Sequence, residues 1–248
     1  MSEISSLSII LKKSSYNDSD KIVLLLSSDL GKISAIAKYA KKSIKRNLNL
    51  LDVGYILRVH LHVSKNSELL FIKNVEFIEK LNHNDDHNTF YILTYLNELI
   101  SCVIQPKQDS RLLFKILTDF FISIKGRRKD KRVKILILFQ IKFLELVGYK
   151  INLSECSNCG KDGDFYKYSL EKSGIVCNNC IDASAIQICK GTKKLITTID
   201  RINFKNTTFS EYIQKELEII SFNNIRKLTT EAVFNKMNNC YNVLKNGI

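Results

Sequence analysis

The sequence predicts an α+β, multidomain protein: a small amino-terminal β-barrel, then an all-α helical bundle interrupted by a four-cysteine knuckle. Three observations predict it. Apolar residues alternate with period two up to about residue 80, helical periodicity takes over after residue 83, and two C-x-x-C pairs break the helical half. Tyr55, Leu57, Val59, Leu61 and Val63 alternate with Ile56, Arg58, His60 and His62, as in a strand with one buried face. Ile22 to Leu26 is a short apolar run, and Ser28-Asp29-Leu30-Gly31 follows it as a tight turn in which Gly31 is free to take positive φ. Ile33, Ala35, Ala37 and Tyr39 alternate again. With Leu7 to Leu11 and Leu69 to Val75 these make about five short strands, the number in a Greek-key barrel of the OB type.

Asn84, Asp85 and Asp86 are helix-start residues, and the apolar positions that follow suit a helix through Ile104 that stops before Pro106. Leu112, Leu113, Ile116, Leu117, Phe120, Phe121 and Ile124 give a second helix. A third, from about Asp130 to Val147, is apolar nearly all round and ends at Gly148, so it reads as the buried rod of a bundle. After the Cys-bearing insert, helical segments are expected near 192–203, 208–220 and 228–245. The domains expected are therefore 1–80 (barrel), 81–150 (helical), 151–188 (knuckle) and 189–248 (helical again).

The 248 residues carry a net charge of +13, which directs attention to nucleic acid or another polyanion. Lysine outnumbers arginine 30 to 8, as AT-rich coding would also produce, so the clustering of charge matters more than its sum. No run of 18 apolar residues occurs. The most apolar stretch, Val133 to Val147, is broken by Lys134, Gln140, Lys142 and Glu145, which excludes a membrane span there. Without an export signal in residues 1 to 11, the expected location is the cytoplasm, in association with the nucleoid.

Cys156-Ser-Asn-Cys159 and Cys177-Asn-Asn-Cys180 are separated by 17 residues, a spacing that predicts a four-thiolate zinc site. Four sulfurs fill a tetrahedral shell and leave no position for water, so one structural Zn²⁺ is expected. Gly160 relaxes the backbone behind the first pair. Cys102, Cys189 and Cys240 are expected to be buried thiols.

Two basic clusters stand out. Lys38, Lys41, Lys42, Lys45 and Arg46 follow a barrel strand, with Tyr39 among them as a possible base-stacking ring. Lys125, Arg127, Arg128, Lys129, Lys131 and Arg132 lie between two helices with Asp130 as the only acid. Such cations neutralise phosphates and release counterions, giving salt-dependent, sequence-tolerant binding; a merely solvated charged face is the competing reading. No phosphate-binding G-x-x-x-x-G-K-[ST] loop, nucleophile elbow or singled-out acidic pair is present, so no enzyme is expected. His60 and His62 read as exposed strand positions, His83 and His87 as residues of a polar connector.

The opening SSYNDSDKIVLLLSSDLGKISAIAKYAKKSIKR, and the helix FQIKFLELVGY followed by Cys156-x-x-Cys159-Gly160 and Cys177-x-x-Cys180, together resemble the bacterial DNA repair protein RecO family. The resemblance covers roughly residues 5 to 182. It implies a recombination mediator that binds single- and double-stranded DNA, anneals complementary strands and works with RecR. It also implies contact with the acidic tail of single-stranded-DNA-binding protein and, indirectly, help in loading RecA at gaps. On this resemblance Lys38, Lys41, Lys42, Lys45 and Arg46 fall in the family's basic barrel segment, and the four cysteines match its zinc ligands. A basic-rimmed apolar groove would receive the partner tail, with Arg111 and Arg132 as candidate contacts. Two other classes share the barrel, knuckle and basic stretch: a zinc-stabilised RNA-binding factor of ribosome or transcription, and a nuclease using the barrel as substrate arm.

Overall fold

The structure, a computed structural model, describes residues 3–40, 47–63, 69–81 and 87–246. The chain forms two compact units, Met1–Phe121 with Lys236–Ile248 and Ile122–Asn235. Among the described residues, no helix is long and apolar enough to cross a membrane.

The first unit is built on five strands: β1 (Glu3–Ser15), β2 (Lys21–Ser27), β3 (Gly31–Ala37), β4 (Tyr55–Val63) and β5 (Leu70–Lys80). They close in the order β1-β2-β3-β5-β4, with β3 and β5 parallel and the other pairs antiparallel, which is an OB-type barrel. Closure depends on β1. Its first half, Glu3 to Ile9, pairs with β4, and its second half, from Ser8 to Ser15, pairs with β2 across an irregularity between Ile10 and Lys12. A bulge of this kind bends a strand and lets it serve two partners. Alternation then sends Ile10, Val23, Leu25, Ile33, Ala35, Leu57, Val59, Leu61, Ile72 and Val75 inward to one core, closed by Leu48 and Leu51 of the β3–β4 connection.

The barrel exterior has two unlike sides. Ile56, Ile9 and Leu26 are cross-strand neighbours on β4, β1 and β2 and are all buried. Helix α1 (His87–Val103) packs against β1, and Lys32 donates from Nζ to the Ser101 carbonyl in its last turn at 2.6 Å. A cation there satisfies a free carbonyl and complements the helix dipole. Ile22, Ile36, Phe71 and His62 form the corresponding row on the other side, and all four remain half-exposed.

Helix α2 (Arg111–Ile124) continues toward the second unit, where α3 (Lys129–Leu146) is buried at Val133, at every position from Ile135 to Ile141, and at Phe143 and Leu144. It packs against α5 (Glu211–Leu228), joined by a buried hydrogen bond of 2.7 Å from Ser221 Oγ to Gln140 Oε1. Three lysines of α3 strap the segment before α5: Lys131 donates to the Thr207 carbonyl at 2.7 Å, Lys134 to Phe209 at 2.9 Å and Lys142 to Ile202 at 2.8 Å. Helix α4 (Lys190–Thr197) is pinned at its start by the buried Glu216, which accepts the Cys189 backbone N–H at 3.1 and 3.0 Å and the Thr192 hydroxyl at 2.5 Å. Helix α6 (Glu231–Asn246) returns to the first unit, and its Tyr241 packs 6.5 Å from Tyr95 of α1.

Several expectations are corrected. β3 ends at Ala37, and Tyr39 sits in a turn at φ 58° instead of extending the strand. His87 opens α1 and is not part of a connector. Cys102, Cys189 and Cys240 are half-buried, and Cys189 is the residue that caps α4. The helix expected over 208–220 runs to Leu228, and the one over 192–203 is α4 followed by a 3₁₀ turn at Ile199–Arg201. Asn84, Asp85, Asp86 and His83 lie outside the described residues.

Gly31 has the expected positive φ of 74°, and a second reason to be glycine. A Cβ there would meet the Gln108 carbonyl oxygen at 2.2 Å, because the segment after Pro106 lies on the β2–β3 turn, with the Lys107 N–H donating to the Lys32 carbonyl at 3.1 Å. Gly31→Ala is therefore expected to cost about 2 kcal/mol or more in urea unfolding, whereas Gly148→Ala, at φ 82° in open space, should cost about 1 kcal/mol.

Candidate metal centre and nucleic-acid interface

The insert carries its own sheet of β6 (Lys167–Ser169), β7 (Gly174–Val176) and β8 (Ala185–Gln187), in the order β7-β6-β8. Cys156 and Cys159 precede it, and Cys177 leaves the end of β7, so the hairpin returns the second pair to the first. Each C-x-x-C closes on itself: the Gly160 N–H donates to the Cys156 carbonyl at 2.8 Å and the Cys180 N–H to the Cys177 carbonyl at 3.2 Å. Gly160 takes φ 69° in open space, as the tight knuckle requires.

The four sulfurs lie within 4.8 Å of one another, with Cys156–Cys180 and Cys159–Cys177 both at 3.8 Å. A tetrahedral ion with metal–sulfur bonds of about 2.3 Å requires sulfur–sulfur edges of about 3.8 Å. Donor set and spacing fit such an ion. Burial raises the Cys156 thiol, but donation from the Cys177, Cys159 and Asn158 backbone N–H groups outweighs it and brings the pKa down to about 6. At Cys180, Asn158 favours the thiolate, yet the neighbouring thiols and burial prevail and push it up to about 11. Four thiols this close need a cation before all can ionise.

The knuckle is held to α5 by polar contacts. Asn224, fully buried, donates its amide to the Tyr168 phenol at 2.8 Å, and burial pushes the Tyr168 hydroxyl up to about 12. Asn223 donates to the Leu170 carbonyl at 2.7 Å. Lys227 Nζ reaches the Leu170 and Glu171 carbonyls at 2.5 and 2.6 Å and Ser173 Oγ at 2.8 Å. These anchors, absent from the sequence reading, sit on the part of α5 that it missed.

Of the first basic cluster, Lys38 and Tyr39 follow β3, and both are exposed. Tyr39 is fixed by its backbone N–H, which donates to Asp20 at 2.8 Å; Lys38 Nζ stands 4.8 Å from the Phe71 ring centre. Lys41, Lys42, Lys45 and Arg46 lie outside the described residues. The second cluster surrounds the start of α3 in the other unit: Arg127 and Arg128 are exposed, and Lys129, Lys131 and Arg132 half-buried. Lys131 is held by Thr207, and Arg132 donates to the Arg127 carbonyl at 2.7 Å. Cations at a helix start oppose its dipole, and Asp130, 3.6 Å from Arg128, is the acid of that first turn.

Arg111 opens α2 and forms an ion pair of 2.6 Å with Asp109, holding that carboxyl down at about 2. It rims a cavity of about 690 Å³ in the first unit, lined by Ile4, Leu30, Ile33, Val63 and Leu70, with Lys107 also at the rim. Arg132 belongs to the second unit, so the two partner-tail candidates do not share one.

The chain thus joins an OB-type barrel to helices that carry a four-cysteine knuckle, and this combination defines its structural class. The family model described as recombination protein O N terminal matches residues 1–81, and that described as recombination protein O C terminal matches residues 84–224. The chain belongs to the recombination protein O (RecO) family. It is 28% identical to the DNA repair protein RecO of Clostridium novyi over 200 residues, 80% of this chain and 77% of the relative. Identity to the same-named protein of Clostridium kluyveri is 29% over 88% of both chains, and to that of Bacillus pumilus 30% over 71% of this chain and 68% of the relative.

Asn224→Ala removes a buried donor and leaves the Tyr168 hydroxyl without it, so a loss of about 2 kcal/mol is expected in denaturant unfolding. Lys227→Met, whose partners keep access to water, should cost about 1 kcal/mol or less by the same measurement.

Proposed function

We propose that this chain is a DNA repair and recombination mediator, working without turnover of substrate in the cytoplasm. It binds single- and double-stranded DNA, promotes annealing, and with RecR assists RecA loading at gaps coated by single-stranded-DNA-binding protein. The observation that carries this reading is family membership across both halves of the chain, on a barrel whose β3 runs into a cationic stretch. Lys38, Lys41, Lys42, Lys45 and Arg46, with Tyr39, form the first DNA contact, and Arg127, Arg128, Lys129, Lys131 and Arg132 the second. Two single strands repel each other through their phosphates. A cationic surface that displaces counterions lowers that barrier without reading sequence, which is what annealing of arbitrary strands requires.

In the same proposal the knuckle holds one structural Zn²⁺. Two charges on the ion against four thiolates leave a closed, tetrahedral site, suited to fixing the hairpin on α5 and offering no open position for chemistry. The cavity beside Arg111 and Lys107 is the candidate seat for the acidic, hydrophobic tail of single-stranded-DNA-binding protein, supported by its apolar lining; its rim carries Asp29 and Asp109 as well as the two cations, so an acidic tail would have to displace Asp109 from Arg111.

Reversing Lys41, Lys42 and Lys45 to Glu together should reduce retention of labelled single-stranded DNA at least tenfold and make the slope of log affinity against log salt shallower by about 3, with the circular dichroism spectrum unchanged. Unchanged affinity in an anisotropy titration would remove that stretch from the interface. Tighter binding to RNA of matched length would favour an RNA-binding factor. For the metal, the purified chain should contain about one zinc, and Cys177→Ser should lose most of it by elemental analysis.

A further inference from the structure

The sulfurs of the knuckle are not supported alike. Cys156 Sγ accepts the Cys177 backbone N–H at 3.2 Å and those of Asn158 and Cys159 as well. Cys177 Sγ takes the backbone N–H groups of Asn179 and Cys180. At Cys180 the leading donor is a side chain: the amide of Asn158, a residue inside the other C-x-x-C pair, favours the thiolate there. A side-chain amide could turn its oxygen to that sulfur instead of its nitrogen. Here Oδ1 is taken by Lys172 Nζ, which leaves the NH2 group for Cys180.

Lys172 is delivered to that point by a braced turn between β6 and β7. Its backbone N–H donates at 3.0 Å to the hydroxyl of Ser169, which is fully buried. Lys227 of α5 holds the Leu170 and Glu171 carbonyls and Ser173 Oγ, and Ser173 turns the chain at φ 56°. On the facing side, the Ser157 N–H donates to the Ile175 carbonyl at 2.8 Å, which fixes the loop bearing Asn158 against β7. Asp182 feels the Lys172 charge but takes its own hydrogen bonds from the Ser184 N–H and hydroxyl, at 2.8 and 2.6 Å, and does not draw the ammonium away.

Four thiolates around a divalent ion leave the centre negative overall, and every N–H···S bond draws part of that charge off the sulfur. A cation behind the amide polarises it and strengthens the bond, as in any chain of hydrogen bonds. We infer that Asn158, oriented and polarised by Lys172, holds Cys180 on the metal and slows loss of the ion, so that both residues belong to the metal centre although neither is a ligand. It rests on the zinc reading of the knuckle and adds the positioning residues that set how firmly the ion is kept.

Transfer of zinc from the folded chain to an excess of a coloured chelator measures this directly. Asn158→Ala should speed release about tenfold and Lys172→Met about threefold, with Lys172→Arg close to the unaltered chain. Because the lysine acts through the amide, Lys172→Met should add little to Asn158→Ala. The ammonium is exposed, so about 1 M salt should erase most of the Lys172→Met effect. In the Co²⁺-loaded chain, Asn158→Ala should move the sulfur-to-cobalt charge-transfer band to longer wavelength, since a sulfur without its donor yields electrons more easily; a loss of fold stability alone would not move it. Release within about twofold of the unaltered chain in both variants, or an unmoved band, would overturn the inference and leave the zinc reading standing. Equal acceleration by Lys161→Met, which removes another exposed cation just past the first pair, would overturn the role of Lys172. A purified chain that carries no zinc and takes up no Co²⁺ would remove the zinc reading itself, and this inference with it.

Discussion

The register of β1 is the constraint on which the barrel depends. One strand of 13 residues pairs with β4 over its first half and β2 over its second, and the irregularity between Ile10 and Lys12 makes the exchange possible. Side chains in a strand alternate with period two, so a slip of one residue would exchange inside for outside along a whole strand. The bulge fixes which residues form the Ile56–Ile9–Leu26 row that is covered and which strands present the half-exposed row from Ile22 to His62. Two sides of one sheet exterior thereby differ, one buried and one half-exposed.

A similar division holds in the second unit. The knuckle has a small apolar core of its own, Cys156, Val176 and Cys177 with Phe165 and Ala185 against them. A cluster that small is insufficient to hold 30 or so residues by burial, as expected for segments far below the size of an independent domain. Its position is set instead by hydrogen bonds from Asn223, Asn224 and Lys227 of α5. The four clustered cysteines gather the hairpin; α5 places it.

Where a local pattern carried the information, the sequence was legible. β4 was read to the residue because YILRVHLHV alternates strictly, and α3 to within one residue at each end because a long, mostly apolar run stops at Gly148. The cysteines were legible because C-x-x-C spacing is itself the geometry of the knuckle. Polar residues with distant partners were not. β1 was read only over Leu7 to Leu11, since Ser5 and Ser6 before it and Ser14 and Ser15 after it resemble a loop; in the fold Ser6 is buried and hydrogen-bonded to Ser27 at 2.7 Å and Asp29 at 2.6 Å. The end of α5 was missed for the same reason. Ser221, Asn223 and Asn224 have loop composition, and their helical role depends on Gln140, Leu170 and Tyr168, 81, 53 and 56 residues away in sequence. His62 was placed correctly on an outer face, but its stacking on Phe71 is a matter of pairing between strands and is invisible to any single-strand pattern.

The character of the cations bears on what such a surface can do. Lysine is a compact, strongly hydrated point charge, and it lacks the planar fork with which arginine grips phosphate bidentately. Attraction of this kind is diffuse, responds steeply to salt and lets a bound strand shift in register. On the proposed reading such looseness is an advantage, because tight directional contacts would have to be broken each time a strand is given up. Diffuse charge–charge attraction of this kind also lets a polyanion go as soon as other cations compete for its phosphates, with no directional contact to be undone first.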